Sequence, residues 1–299
     1  MELTPYLRKI YGAENVLATA RRNIPGPVSE GGPFDLLDVR DGKAFSDLIG
    51  SFRADTVIHL AGVLSAKGEA DPLTSWDTNV CGSCTALEAA REKGAAFFFP
   101  SSIAAFGPAT PAKNTPQDTI QRPTTIYGVA KVTMELLCDY YHKKFGMDTR
   151  GLRFPGLISY EALPGGGTTD YAVHIYYEAV KKGSYTSFIA RGTYMDMMYM
   201  PDALAAVVKL MEADPSKLAH RNAFNISAMS FEPEQIAASI RKFMPDFTMD
   251  YNVDPLRQGI AESWPDSLDC TAAREEWGFT PEYDLDRMTA DMLNRLKEK

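Results

Sequence analysis

Three apolar runs, at residues 56–60, 95–100 and 147–154, follow one another along the first half of the chain with a helical pattern between each pair. Runs that stay apolar throughout, rather than at every second residue, read as strands buried on both faces. Between the first two, Asp71 followed by Pro72 gives an N-cap and first-turn signal for a long helix that ends before Gly94. Pro123 opens a second helix and Gly146 closes it. Upstream, Leu3, Leu7 and Ile10 share one face of a helix over 2–11, residues 15–20 form a short apolar strand, and Phe45, Leu48, Ile49 and Phe52 mark another helix. Strand and helix in alternation predict a doubly wound α/β fold, a parallel sheet with helices on both faces. After Pro155 the pattern turns to Gly/Pro-rich loops, a helix over 171–181, and short segments around 224–226 and 247–253. The expected division is a dinucleotide-binding domain over 1–156 and a smaller, mainly substrate-binding lobe over 157–299. Part of that lobe, about 191–221, is expected to return to the first domain.

Composition narrows the function classes. With 45% hydrophobic and 23% charged residues the chain reads as globular. A net charge of -8 leaves no basic stripe for a phosphate backbone, so nucleic acid is not an expected partner. No apolar run reaches membrane-spanning length, and no membrane partner is expected. Cys81 and Cys84 fall inside a helical pattern with no second pair or nearby histidine, so no metal site is expected, and with Cys138 and Cys270 they read as free thiols. Free thiols and no signal-peptide pattern place the chain in the cytoplasm, or in the mitochondrial matrix of a eukaryote.

The chemistry concentrates on Ser102, Tyr127 and Lys131. Tyr127 and Lys131 stand four residues apart in the helical stretch 124–146, so both share a face. The ammonium is expected to hold a phenolate at lowered pKa, a usable base near neutral pH. Ser102 follows a strand, and the carboxyl ends of strands are where open α/β sheets put their ligands. Its hydroxyl can hydrogen-bond the substrate oxygen that Tyr127 deprotonates. The same spacing recurs at Tyr140/Lys144 and Tyr177/Lys181, but neither pair has a strand-end serine upstream, and both read as ordinary amphipathic faces.

These residues lie within His59-Leu60-Ala61-Gly62, Asn79-Val80-x-Gly82, Ser101-Ser102-Ile103-Ala104-Ala105-Phe106-Gly107, Tyr127-Gly128-x-x-Lys131 and Arg153-Phe154-Pro155-Gly156. On those motifs the chain resembles, over nearly its whole length, the extended short-chain dehydrogenase/reductase family. Leu64-Ser65-Ala66, the segment from Pro164 through Gly165-Gly166-Gly167 to Ala172, and Ser263-Trp264-Pro265 resemble the signatures of its epimerase-like L-threonine 3-dehydrogenase branch. The resemblance implies a Rossmann-type fold with Ser102, Tyr127 and Lys131 catalytic. It implies a nicotinamide cofactor held by Asp38, Val39, Leu60, Ala61, Gly62, Asn79, Phe154 and Pro155, together with Tyr127 and Lys131. It also implies that Ser65, Thr168, Thr169 and Asp170 face an amino acid, hydroxyls toward its carboxylate and carboxylate toward its ammonium. The implied reaction is oxidation of the Cβ hydroxyl of L-threonine to 2-amino-3-ketobutyrate, with the hydride passing to the cofactor, in threonine catabolism. The implied assembly is a homodimer paired through 76–91 and 124–144. The segment Thr168-Thr169-Asp170 also reads simply as a loop and helix N-cap, and both readings stay open.

Two features depart from the family pattern. Its first strand and Gly-x-x-Gly-x-x-Gly loop are absent, and Met1-Glu2-Leu3 resembles the residues just after that loop. This predicts that Met1 is an internal methionine of a longer natural chain, and that the chain as written holds its cofactor weakly. Where an acidic residue ordinarily meets the adenosine ribose stands Ala20, followed by Arg21 and Arg22. Arginines there accommodate a 2′-phosphate, so NADP is the alternative to NAD, which is the first expectation. The rival functions are a nucleotide-sugar epimerase or dehydratase of the same family and a non-catalytic protein that retains the fold.

Overall fold

The three consecutive phenylalanines of the second apolar run show how the chain layers. Phe97, Phe98 and Phe99 are all buried, yet Phe97 and Phe99 pack into one hydrophobic cluster with Phe45, Ile49, Leu87 and Met134, while Phe98 packs into another with Leu152, Ile103 and Ile175. Side chains alternate across a strand, so both faces of this one are covered. The structure is a computed structural model describing residues 2–161 and 163–299; Met1, where a displaced start is expected, lies outside them.

Eleven strands are described: β1 (Ala18–Ala20), β2 (Phe34–Leu36), β3 (Thr56–Ile58), β4 (Ala96–Ser102), β5 (Thr149–Phe154), β6 (Gly156–Ile158), β7 (Ser184–Ser187), β8 (Met195–Tyr199), β9 (Phe224–Asn225), β10 (Met229–Phe231) and β11 (Thr248–Tyr251). The main sheet runs β3-β4-β5-β9, all parallel, and β1 and β2 form a parallel pair of their own. The doubly wound parallel α/β class expected from the sequence is therefore observed. Beyond β5 the chain builds a mixed sheet, β10-β8-β6, and a parallel pair, β11-β7.

Three local differences from expectation matter for the site. The helix expected to run unbroken from Pro72 to Lys93 is interrupted by a π-helical turn at Asp77–Cys81, flanked by helices Pro72–Trp76 and Gly82–Lys93. Such a turn inserts one extra residue and redirects the side chains on it, here Asn79. The segment around Phe224, expected in the second lobe, instead pairs Phe224 with Leu152 and Asn225 with Arg153 and so joins the main sheet as β9. Pro33 and Asp35 mask β2, which has no apolar run to announce it. Among the described residues no helix is long and apolar enough to cross a membrane, and no group of three His, Cys, Asp or Glu side chains converges as a metal site.

A polar clasp closes the back of the main sheet. The Nε2 of His220 meets the carboxylate of Asp118 at 3.1 Å, and its Nδ1 meets Glu276, whose other oxygen accepts from the amides of Ala219 and His220 at 2.6 and 2.9 Å. Burial pulls the imidazole pKa down, but the hydrogen bonds and charges of Glu276 and Asp118 outweigh it and leave the value raised. A raised folded pKa means a contribution to stability that is complete below the unfolded value, about 6.5, and is lost as pH climbs through the folded value. His220→Gln is therefore expected to lower the urea midpoint more at about pH 5.5 than at about pH 8.5. Equal losses at both pH values in paired denaturation curves would show that the clasp is not ionic.

Candidate active site

The end of β4 and the first turns of the helix Ile126–Phe145 meet because neither has bulk where they touch. A Cβ on Gly128 would lie 2.2 Å from the carbonyl oxygen of Ala104, so only glycine lets this helix approach the turn that follows Ser102. Thr125 caps the helix, its Oγ1 accepting from the Gly128 amide at 3.1 Å. The carboxylate of Glu69, on the short helix Ser65–Ala70, accepts from the Ile126 amide at 2.8 Å. That bond ties the Ser65 helix to the residue preceding Tyr127.

Three successive turns of the long helix each meet a residue at the end of β4. Tyr127 faces Ser102, Lys131 donates to the carbonyl of Pro100, and Glu135 accepts from Ser101 Oγ. Lys131 Nζ lies 4.7 Å from the ring centre of Phe99 and 5.2 Å from that of Tyr127. Behind it Glu135 forms an ion pair with Arg153 of β5, through Nη2 at 2.9 Å and Nε at 3.1 and 3.2 Å, both residues buried. Gln121 donates to Oε2 of Glu135 at 2.7 Å, and Arg153 Nη1 donates to Gln117 O at 2.8 Å and Asn225 Oδ1 at 3.1 Å.

The titration behaviour departs from the sequence expectation. Burial pushes the Tyr127 phenol up to about 12, and the Ser102 hydroxyl only partly opposes it. The expected lowering fails because the Lys131 ammonium is directed at a backbone carbonyl and an aromatic face, not at the phenolic oxygen. Lys131 itself is lowered to about 8 by burial, against the raising effect of Glu135. His59, at the end of β3, is lowered to about 4 by burial and then by Lys131, so it is neutral. Ser83 Oγ donates to Asn79 O at 2.7 Å, which leaves His59 Nε2 as the donor to Ser83 at 3.0 Å.

The expected cofactor residues line the strand ends, but several spend their polar atoms on the protein. Asn79 clasps the loop after β3, accepting from the Val63 amide at 2.6 Å and donating to the Val63 carbonyl at 2.9 Å. Leu60, Ala61 and Gly62 are left exposed on that clasped loop, an apolar ledge with small neighbours that suits a planar ring. Val39 packs against Gly82, and Asp38 is bound by Arg40, through Nη2 at 2.7 Å and Nε at 3.0 Å. Hydrogen bonds from Arg40 hold the Asp38 carboxyl far below its usual range, with Arg21 contributing, so it is a standing acceptor for hydroxyl groups. Phe154 ends β5 opposite Ser102, and Pro155 is buried between β5 and β6. This ledge and acceptor fit a nicotinamide dinucleotide.

The expected substrate residues lie on two segments that approach each other at Leu64 and Gly165. A Cβ on Gly165 would sit 3.5 Å from Leu64, the residue before buried Ser65, and Thr169 packs against Gly156. Gly166, at φ 99°, turns in the left-handed region that favours glycine, and Asp170 Oδ2 accepts from the amides of Gly166 and Gly167 at 2.7 and 2.6 Å. The capping reading of Asp170 is thus realised, with its second oxygen still available. Thr168 is 1% exposed and its Oγ1 has no hydrogen-bond partner among the described residues. Sequence reasoning missed Glu135 and Gln121; the one available signal was that Glu135 continues the four-residue spacing of Tyr127 and Lys131.

Comparisons with known proteins show the family. The model of the NAD dependent epimerase/dehydratase family matches residues 3–227. A protein of Staphylococcus haemolyticus described as an uncharacterized epimerase/dehydratase is 58% identical over 300 residues, covering 100% of this chain and 94% of its own. The X-ray structure of L-threonine dehydrogenase from Clostridium difficile superposes with a TM-score of 0.98 at 59% identity, over 99% of this chain and 93% of the other. A GalE-like L-threonine dehydrogenase from Cupriavidus necator, in its holo form, superposes at 0.95 and 44% identity, over 99% and 95%.

Replacing Glu135 by Gln leaves Arg153 buried without its counter-charge, a change that costs about 3–5 kcal/mol in such settings. It also removes the charge that raises Lys131, whose midpoint should fall below the value of about 8 in the parent. Amine labelling followed across pH by peptide mass spectrometry reads that midpoint. An unchanged or higher midpoint in Glu135→Gln contradicts the coupling.

Proposed function

We propose that this chain, which belongs to the NAD-dependent epimerase/dehydratase family, oxidises the Cβ hydroxyl of L-threonine to 2-amino-3-ketobutyrate. The observation that carries the amino-acid substrate is Thr168, a buried hydroxyl without a partner on a loop held rigid by Asp170. Buried polar groups are nearly always paired, so an orphan among the described residues, on a turn that packs against β6, is a place for a ligand oxygen. The named structural neighbours support the same substrate.

The bound cofactor supplies a hydride acceptor and a positively charged ring. Leu60, Ala61 and Gly62 would hold that ring, with Phe154 and Pro155 opposite, while Asp38 would accept from ribose hydroxyls; NAD is the proposed form, and NADP the alternative that Arg21 and Arg22 favour. Ser65 and Thr168 bind the substrate carboxylate, and the free oxygen of Asp170 meets its ammonium. Ser102 donates to the reacting oxygen, and Tyr127 takes its proton as general base. Burial holds the phenol near 12 and Lys131, directed at Pro100 O, does not lower it, so the proton leaves only where a further positive charge stands beside the ring. Lys131 in turn remains cationic through Glu135.

Tyr127→Phe is expected to reduce threonine-dependent nicotinamide reduction by about two to four orders of magnitude. Tyr140→Phe and Tyr177→Phe should leave it nearly intact, since Tyr140 is 52% exposed and the Tyr177 hydroxyl is committed to Tyr160 O at 2.7 Å. In the same assay Thr168→Ala should raise KM about tenfold without lowering Tm, because it deletes a hydroxyl the folded chain does not use. Turnover of a UDP-sugar with none of L-threonine would overturn the assignment.

The proposed partner is a second copy of the chain. Trp76 on the first of the two segments expected to pair, and Val129, Leu136 and Tyr140 on the second, are exposed apolar residues, Leu136 at 60%. Leu136→Glu should shift the mass in light scattering from dimer to monomer. A monomeric parent protein would refute the pairing.

A further inference from the structure

On the second lobe, a cavity of about 350 Å³ opens between the helix Tyr171–Lys182, β7 and the helix Pro255–Ala261. His174, Glu178, Tyr185, Thr186, Phe188 and Arg257 line it. Two of its polar groups are uncommitted. The Tyr185 side chain is buried, and its hydroxyl has no hydrogen-bond partner among the described residues. The guanidinium of Arg257 has only Asp254 nearby among the described residues, with Nε 3.9 Å from Oδ2, outside hydrogen-bond reach.

Arg257 is nevertheless fixed. It stacks over Phe188 with its central carbon 4.4 Å from the ring centre, and Phe188 is met edge-on by His174 at 6.3 Å and Tyr171 at 6.5 Å. Stacking orients the planar fork without using any of its N–H donors. Glu178 is paired with Lys182, so the one acidic group in the cavity is already neutralised. Burial pushes the Tyr185 phenol up, and Arg257 is the neighbour that opposes this, so the two groups share one space. A pre-oriented fork beside an unpartnered hydroxyl is a receptor for a planar or tetrahedral oxyanion, and the volume falls in the lower range for small-molecule sites.

We propose that this cavity is a second ligand site, binding a small metabolite through its carboxylate or phosphate oxyanion between Arg257 and Tyr185, and that occupancy stiffens the loop that carries Thr168. The helix Tyr171–Lys182 begins where the turn Thr168–Asp170 ends, and the helix of Arg257 packs against that same turn. An anion held between Arg257 and Tyr185 ties the helix Pro255–Ala261 to β7 and so bears on the turn it packs against, where the Asp170 carboxylate pins Gly166 and Gly167.

The site does not depend on the proposed substrate, and its test needs no turnover. The full chain is titrated calorimetrically with sodium benzoate and, separately, with inorganic phosphate, which distinguishes a carboxylate from a phosphate source. Saturable binding of one probe is expected, weakened about tenfold or more in Arg257→Gln, severalfold in Tyr185→Phe, and not at all in Thr168→Ala. Should Arg257→Gln fail to fold, Arg257→Lys keeps the charge but loses the fork and is expected to weaken binding severalfold. Hydrogen exchange at the Gly166 and Gly167 amides should slow when the probe is bound. The proposal is overturned if neither probe saturates, if binding survives loss of the fork, if it disappears in Thr168→Ala, or if exchange at those amides is unchanged.

Discussion

The strand-end site hangs from one buried ion pair, Arg153 with Glu135. Two charges in an apolar interior are tolerable only when nearly every donor and acceptor is used. Arg153 spends its donors on Glu135, Gln117 O and Asn225, while Glu135 also accepts from Ser101 and Gln121. The pair therefore joins β4, β5, β9, the long helix and the loop around Gln117 at a single point. Compared with an apolar contact of similar volume, it adds little to stability. What it adds is position: the helix cannot rotate about its axis without breaking several bonds, and Tyr127 and Lys131 are on that helix.

Residues expected to touch ligands are, in several cases, busy elsewhere. Asn79 holds the Val63 backbone, Asp170 holds two glycine amides, and Asp38 is gripped by Arg40. These bonds do not compete with a binding role so much as prepare for it, since a site whose loops are already fixed loses less entropy when a ligand arrives. Thr168 is the counter-example. Its neighbours are organised and its hydroxyl is left over.

How much of this was legible in the sequence depends on what each residue's environment adds. The apolar runs announced β3, β4 and β5 because strands buried on both faces need no alternation. The segment at 224–226 was visible but its place in the main sheet was not, because two paired residues show no period, and the π-helical turn escaped because it depends on Asn79 reaching a loop distant in sequence. Ser102, Tyr127 and Lys131 were found from spacing and strand position. Their titration was misjudged, because spacing places an ammonium near a phenol but does not say that burial dominates or that Pro100 O captures the charge. Glu135 continued the visible pattern, yet a glutamate on an amphipathic helix usually faces water, and only the packed fold shows Arg153 waiting for it.

Three phenylalanines in a row carry a further consequence for β4. A strand whose buried residues alternate with polar ones is locked in phase, because a slip of one residue would turn its apolar set toward water. Here a slip would exchange one phenylalanine for the next, with small hydrophobic penalty. The phase must be chosen by what lies at the strand's polar end, where Ser101 pairs with Arg153 and bonds Glu135, and by Gly151, where a Cβ would lie 2.7 Å from the carbonyl oxygen of Phe99. The polar groups behind the site thus act also as a zip-end stop for the central strand. Damage to them would surface first as a frame-shifted sheet, and only through that as a displaced serine.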